Sequence, residues 1–157
     1  MWLSKLAPFL FLAACGYAPA LAPGGSAANL HGKVTLAQPT DRNSFDLTQH
    51  LEDRLGTATS EKYLLSTNLK ASEGAVGVTA EQETTRYTVR AVVTYELRDT
   101  ATDKVILTGK VQNFTGYSTT DTAVSTRAAQ LDAYKRLMVI LGDEIVERLI
   151  LSGAFAG

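Results

Sequence analysis

The stretch Thr84–Arg98, TTRYTVRAVVTYELR, decides the fold because apolar and polar side chains alternate along most of its length. Every second residue from Tyr87 to Leu97 is tyrosine, valine, alanine or leucine, and the residues between them are mostly threonine, arginine and glutamate. A period of two over about twelve residues, rich in β-branched and aromatic types, is typical of a long strand with one buried face. The chain therefore contains a sheet that needs a covering layer.

The segments that flank this strand repeat its pattern. Residues 104–118 resume the alternation after a turn at 99–103, which predicts an antiparallel hairpin whose register stays open. Residues 61–72 alternate as well, and the following residues 73–82, with two glycines, predict a turn or a loop. A short strand is predicted over residues 31–38.

Two further segments have helical periodicity. The first helix is predicted from Asn43, as its cap, to Gly56. The second is a long amphipathic helix over residues 122–151, with Asp121 or Thr120 as its cap. The apolar stripes of the two helices consist of Phe45, Leu47, Leu51 and Leu55, and of Leu131, Tyr134, Met138, Leu141, Ile145 and Leu149.

The order of these elements is strand, helix, strand, strand, strand, helix. Two helices packed on one face of a four-stranded, largely antiparallel sheet bury every apolar face and stripe at once. We therefore predict an α+β fold, formed by a single domain over residues 30–157. The other face of the sheet is then polar, with Val92, Ile106 and Phe114 among its residues.

The N-terminus has the features of an export signal. Lys5 precedes an apolar run of about nine residues, whereas a membrane-spanning helix needs roughly 20. The run ends in Leu12, Ala13, Ala14 and Cys15. This ending resembles the lipobox of bacterial lipoprotein precursors, in which the cysteine is acylated. We predict a signal peptide over 1–14, a lipidated Cys15 with a flexible tether over 15–29, and sorting to the outer membrane because Gly16 follows the cysteine.

Composition excludes several classes of function. A formal net charge of −1 argues against a generic nucleic-acid binder. A single cysteine excludes an internal disulfide framework and a multi-cysteine zinc site. His31 and His50 lie on different elements and are expected to be surface histidines, so we expect no metal and no cofactor. The sequence has no nucleophile-elbow motif and no prominent carboxylate pair, and we therefore expect no enzymatic activity.

Three stretches carry a family resemblance: Cys-Gly-Tyr at 15–17, GKVTL at 32–36, and TRYTVRAVVTYEL at 85–97, which a hairpin and a long final helix follow. Together they resemble the LptE family of lipopolysaccharide-assembly lipoproteins. The resemblance implies two helices on a four-stranded sheet, a place as a plug inside the outer-membrane barrel LptD, and a part in inserting lipopolysaccharide into the outer leaflet. It implies neither a catalysed reaction nor a cofactor.

The resemblance also implies basic residues that contact the anionic head group of lipopolysaccharide. Lys135 and Arg136 occupy the matching stretch of the last helix, and Arg86 and Arg90 lie on the polar side of the central strand. Charge-assisted contacts from such residues to phosphate are strong. The alternative for all four is that they are ordinary solvated charges.

Two other functions stay open at this point. The first is a different outer-membrane lipoprotein that serves as a periplasmic adaptor or a peptidoglycan-binding module. The second is a lipid-anchored hydrolase. A dominant partner other than a barrel protein favours the adaptor. Activity that survives substitution of both histidines, or a complete absence of activity, bears on the hydrolase.

Overall fold

The structure is a computed structural model that describes residues 26–78, 84–120 and 122–152. Its elements are α1 (Ser26–Leu30), β1 (Val34–Leu36), α2 (Arg42–Leu55), β2 (Tyr63–Val78), β3 (Thr84–Asp99), β4 (Val105–Ser118) and α3 (Ala123–Leu151). The predicted signal peptide, the lipobox with Cys15 and most of the predicted tether lie outside the described residues.

The four strands form one sheet in the order β1-β2-β3-β4. β1 pairs parallel with β2, and the two other pairings are antiparallel. The register of the hairpin between β3 and β4, which the sequence left open, places Ala91 opposite Asn113. With α2 and α3 as its two long helices, the fold confirms the predicted α+β class.

Two strands differ in length from the prediction. β2 continues to Val78, so the predicted loop from residue 73 is wrong over its first half. Glu73 pairs with Val89 and Ala75 pairs with Tyr87, and this ladder outweighs the low strand propensity of the glycines. β1 is shorter than predicted, because only Val34–Leu36 meets a partner on β2.

The core lies between the sheet and the helices. The odd-numbered residues of β3 point into it, and Val89, Val93 and Leu97 are all 0% exposed, which confirms the predicted apolar face. The helices contribute Leu47, Leu51, Leu55, Ala133, Leu137, Met138, Leu141, Ile145, Val146 and Leu149. Leu131, which the sequence assigned to this stripe, is instead 38% exposed.

The start of α2 differs from the prediction. Asp41, and not Asn43, caps the helix: its Oδ1 accepts from the N–H of Ser44, and Ser44 Oγ accepts from the N–H of Asp41, each over 2.9 Å. This reciprocal pair places Ser44 on the buried side of the helix. Phe45 consequently points outward and is 55% exposed, so its place in the apolar stripe was wrong.

α3 begins after Thr122, whose side chain accepts from the N–H of Ser125 over 3.1 Å, and not after Thr120 or Asp121. In its middle, Gly142 is buried, and a Cβ placed there would lie 2.6 Å from His50 Cδ2. The glycine therefore lets α2 approach α3 closely. His50 Nε2 lies 3.0 Å from Asp143 Oδ1, so His50 links the two helices and is not the surface histidine that the sequence predicted.

The N-terminal end of the described chain belongs to the fold. α1 covers residues that the sequence assigned to the end of the tether, and Leu30 at its last position is 1% exposed. Gly32 donates its N–H to the carbonyl of Leu55 over 2.8 Å, which ties this segment to the end of α2.

Candidate functional site

The face of the sheet opposite the helices, here called the open face, carries the basic residues that the sequence singled out on the strands. Even-numbered residues of β3 point to this face, because the odd-numbered ones are in the core. Arg86 and Arg90 therefore lie on the open face, as predicted, and both are exposed. Four residues of strand separate their Cα atoms by about 13 Å.

Two lysines on the neighbouring strands extend this basic region. Lys70 of β2 is paired with Val92, and Lys110 of β4 is paired with Thr94, so both point to the same face as the two arginines. Arg90 itself lies between Ser72 and Phe114 in the register. We call Lys70, Arg86, Arg90 and Lys110 the basic sheet face.

The positive charge of the basic sheet face is not neutralised by acidic residues within the described segments, where none of its members has a carboxylate within 4.0 Å. Glu96 is the one carboxylate that β3 places on the open face in the range 86–98. It is already engaged by Arg98, whose Nη2 lies 2.5 Å from Glu96 Oε1. Four cations over three strands therefore remain available to an anion.

Apolar surface accompanies these cations. Phe114, on β4 beside Arg90, is 67% exposed, and Val92 is half-buried next to it. A shallow depression of about 480 Å³ is lined by both of these residues, Arg90 and Gln112 among others. An anion that also carries apolar groups matches such a surface better than a simple ion does.

The two basic residues predicted on the last helix are not part of this face. Lys135 and Arg136 are exposed on α3, which packs on the other side of the sheet. Arg136 is engaged within the chain: its Nη1 lies 2.9 Å from Asp132 Oδ2, and its Nη2 donates to the carbonyl of Gly116 over 3.3 Å. The four predicted residues therefore form two groups.

The two groups approach each other at the edge of β4. Arg136 reaches Gly116 from the helix side of the sheet. A Cβ placed on Gly116 would lie 3.9 Å from Arg86 Nε, so the Arg86 side chain runs past the same residue on the open face. Arg86 and Arg136 thus flank one backbone position, although their Cα atoms lie in different layers.

A hydrogen-bonded cluster joins β2, β4 and α3 on the helix side. The carboxylate of Glu73 accepts from Tyr117 Oη, from Gln130 Nε2 over 2.8 Å and from Tyr134 Oη over 3.3 Å. Burial alone would raise the pKa of Glu73, but these three hydrogen bonds lower the pKa below its ordinary value. Burial, followed by the hydrogen bond to Glu73, raises the pKa of Tyr117.

Sequence reasoning missed Lys70 and Lys110 as members of the site. The alternation of residues 61–72 and 104–118 was the signal that could have assigned each lysine to a polar face. The register that brings both lysines beside the centre of β3 was not available from the alternation, because a strand can slide by two residues without changing its pattern.

Metal ligation and membrane crossing are two further properties that bear on function. Across residues 26–78, 84–120 and 122–152, no group of three or more His, Cys, Asp or Glu side chains is placed to hold a metal ion. None of the helices in this part of the chain combines the length and apolar character of a membrane-crossing helix.

The fold is shared with bacterial lipoproteins. A protein from Caulobacter crescentus CB15 superposes with a TM-score of 0.66 at 19% identity, over 80% of this chain and 92% of that one. Rare lipoprotein B from Shewanella oneidensis has a TM-score of 0.52 at 10% identity, over 78% and 92% of the two chains. A lipoprotein B from Nitrosomonas europaea has a TM-score of 0.60 at 10% identity, over 80% and 86%. These superpositions show that the chain shares its α+β fold with these bacterial proteins.

The particular family follows from the sequence. Residues 32–149 match the family model LptE, described as lipopolysaccharide-assembly. The match covers more than half of the chain, and the chain therefore belongs to the LptE family, a non-enzymatic family of lipopolysaccharide-assembly lipoproteins. The resemblance noted in the sequence and the expected lack of enzymatic activity are both confirmed. No curated protein matches this chain in sequence.

Proposed function

We propose that this chain is anchored in the outer membrane through acylated Cys15, that it plugs and helps to assemble the barrel LptD, and that its basic sheet face binds lipopolysaccharide during transport to the outer leaflet. The observation that carries the proposal is the family match over residues 32–149. The geometry adds a surface with the chemistry that a phosphorylated lipid requires.

The basic sheet face fits a ligand with several phosphate groups. Arginine binds phosphate through two parallel N–H donors, and lysine adds a compact charge. Arg86 and Arg90 lie on β3, and Lys70 and Lys110 lie on its two neighbours. The cations are therefore distributed both along one strand and across three strands. Phe114, exposed beside Arg90, offers contact to the sugar or acyl part of such a ligand.

Lys135 and Arg136 are proposed as a second, smaller contact. Arg136 is held toward the edge of β4 by Asp132 and Gly116, where it lies across from Arg86. A phosphate at this edge has to compete with Asp132 for the guanidinium. We therefore expect Arg136 to contribute less than Arg86 and Arg90.

The open face also has the polarity that a plug requires. Threonines at 88, 94 and 108 alternate with the cations on β3 and β4 and point to the same side. A barrel of the outer membrane has a polar lumen, and mixed hydroxyl and cationic surface is compatible with it. The other proposed role, a periplasmic adaptor or a peptidoglycan-binding module, uses the same exposed polar surface with a different partner.

The first experiment measures binding of purified lipopolysaccharide to the full-length protein in detergent. The variant Arg86→Glu/Arg90→Glu reverses two charges on the basic sheet face, and Arg42→Glu/Lys104→Glu is the control because it makes the same net change at exposed residues elsewhere. We expect affinity to fall by about tenfold or more in the first variant and by clearly less in the control. Equal losses in both would show that only net charge matters and would contradict the assigned site.

The second experiment isolates the tagged protein from detergent-solubilised outer membranes and identifies its partners by mass spectrometry. A complex with a large β-barrel in about equal amounts supports the plug, and depletion of the protein should then lower the amount of assembled barrel. Recovery with a peptidoglycan or inner-membrane partner, and a normal barrel level after depletion, would favour the adaptor.

The third experiment tests the anchor separately. Cys15→Ala removes the thiol that the proposed lipidation requires, so the protein should lose its acyl chains and its place in the outer membrane. The domain should still unfold cooperatively, because the described fold begins at residue 26. Unchanged membrane fractionation of this variant would contradict the assignment of Cys15.

A further inference from the structure

The two edges of the sheet differ in how they are closed. On β4, the N–H of Phe114 donates to Asn113 Oδ1 over 2.8 Å, and the carbonyl of Gly116 accepts from Arg136 over 3.3 Å. Side chains therefore occupy two of the backbone groups that point out of the sheet near the end of β4. Natural sheets protect their edges in this way, because unpaired backbone groups recruit other strands.

The edge of β2 is closed only at its beginning. Tyr63 donates its N–H to the carbonyl of Lys33, and the carbonyl of Leu65 accepts from Ala37, each over 3.0 Å. The odd-numbered residues of β2 therefore point their backbone groups toward β1. β1 ends at Leu36, and its pairing with β2 ends at Leu65.

Beyond Leu65 the alternation of β2 continues without a neighbour in the described part of the chain. The N–H and C=O groups of Thr67, Leu69, Ala71 and Glu73 point out of the sheet, because the register with β3 is regular up to Ala75. The free edge from residue 67 to residue 75 is about 27 Å long. No proline interrupts it, and residues 71–76 are exposed.

We propose that the free edge of β2, residues 67–75, is a binding site for an extended strand of a partner protein that carries acidic side chains on the side facing the open face. The free groups alternate along the edge as donors and acceptors, an arrangement that the backbone of another strand matches. Once added, this strand is the neighbour of β2 beyond Leu65, where the pairing with β1 has ended.

The positive charge near the free edge favours a partner strand with acidic side chains. Lys70 points to the open face from β2 itself, and Arg90 lies one strand further in, opposite Ser72. An incoming strand therefore places every second side chain beside positive charge, which favours glutamate or aspartate there. A second copy of this chain would bring its own Lys70 to the same side and is disfavoured by repulsion. The hydrogen bonds of this site use backbone groups of β2, whereas the acidic side chains of the added strand lie beside Lys70 and Arg90, two members of the basic sheet face.

The test uses the full-length protein in detergent and two blocked peptides, each with two repeats: Thr-Glu-Val-Glu and Thr-Lys-Val-Lys. Hydrogen exchange is measured residue by residue. We expect the acidic peptide to slow the exchange of the amides of Thr67, Leu69, Ala71 and Glu73, and the basic peptide to bind about tenfold more weakly or not at all.

Ala71→Pro provides the decisive variant because it removes an outward N–H without removing a hydrogen bond to β3. It should lower the affinity for the acidic peptide by about tenfold or more, while Ala71→Val, which keeps the N–H, should not. Circular dichroism and thermal unfolding establish that both variants fold. If Ala71→Pro fails to fold, photocrosslinking replaces it. A photoreactive residue at position 71 should crosslink to the acidic peptide, and one at position 112 on β4 should not.

Four results would overturn the proposal. They are no protection by the acidic peptide at millimolar concentration, equal protection by both peptides, protection of the four amides before any peptide is added, and a concentration-dependent dimer that Ala71→Pro dissociates. The third would assign the edge to another segment of this chain, and the fourth would assign it to a second copy.

Discussion

The two faces of the sheet come from the same strands but are built for different neighbours. On β3, Val93 is 0% exposed under the helices, whereas the adjacent Thr94 is exposed on the open face. The two residues are neighbours in the chain, but a charge placed at position 93 loses its hydration, whereas a charge at position 94 keeps it. The covered face therefore determines whether the protein folds, and the open face is free to carry the cations that the proposed function needs.

The largest expected effect comes from placing a charge on the covered face. Val93→Asp buries a carboxylate without a partner and should cost about 3–5 kcal/mol, a large part of the stability of a domain of this size. We expect a loss of cooperative thermal unfolding, measured by circular dichroism. The matched control is Thr94→Asp, which places the same charge on the open face opposite Lys110 and should cost about 1 kcal/mol or less. Similar losses in both variants would contradict the distinction between the faces.

A smaller effect is expected from placing a valine on each of the same two faces. Gly109 of β4 is paired with Tyr95, and a Cβ added to it would collide with the Tyr95 ring, which is 5% exposed. Gly109→Val should destabilise the protein by about 1–3 kcal/mol, because the ring has to leave its place in the core. Thr108→Val places a valine of nearly the same size as threonine on the open face, where residue 108 is exposed, and should be close to neutral in chemical denaturation. A stable Gly109→Val with an unmoved ring would refute the close contact.

The alternation of residues 84–98 was sufficient to predict these two faces and to place Arg86 and Arg90 on the open one. Burial on one side of a strand fixes the side-chain period, and the period is visible in a single sequence. It could not supply the partners of each residue in the neighbouring strands. Lys110 therefore escaped prediction, although it faces the same side as Arg90.

Contacts between distant segments account for most of the other differences. His50 bonds to Asp143, which lies 93 residues away, and no local pattern signals such a pair. Phe45 lies at helical spacing from Leu55, but the capping bonds of Ser44 determine which side of α2 is buried. The extent of β2 past residue 73 depends on the length of β3, which supplies its hydrogen-bonding partners.

The smallest expected effect lies where the covered face ends, at Glu73. Because hydrogen bonds from Tyr117, Gln130 and Tyr134 lower its pKa in the folded state, the charged carboxylate stabilises the fold above its ordinary pKa of about 4.3. This contribution is lost as the pH falls from that value through the lower pKa of the folded state. Glu73→Gln removes the titrating group, so thermal unfolding midpoints should fall less steeply between about pH 5 and pH 3 than in the unmodified protein.

The matched control for this pH dependence is Glu52→Gln, which removes an exposed carboxylate on α2. It should leave the acid slope close to that of the unmodified protein. Because Glu73 is itself exposed, solvent screening keeps the difference small, and midpoints have to be compared at several pH values to resolve it. Parallel curves for Glu73→Gln and the unmodified protein would show that the three hydrogen bonds do not favour the charged form of Glu73.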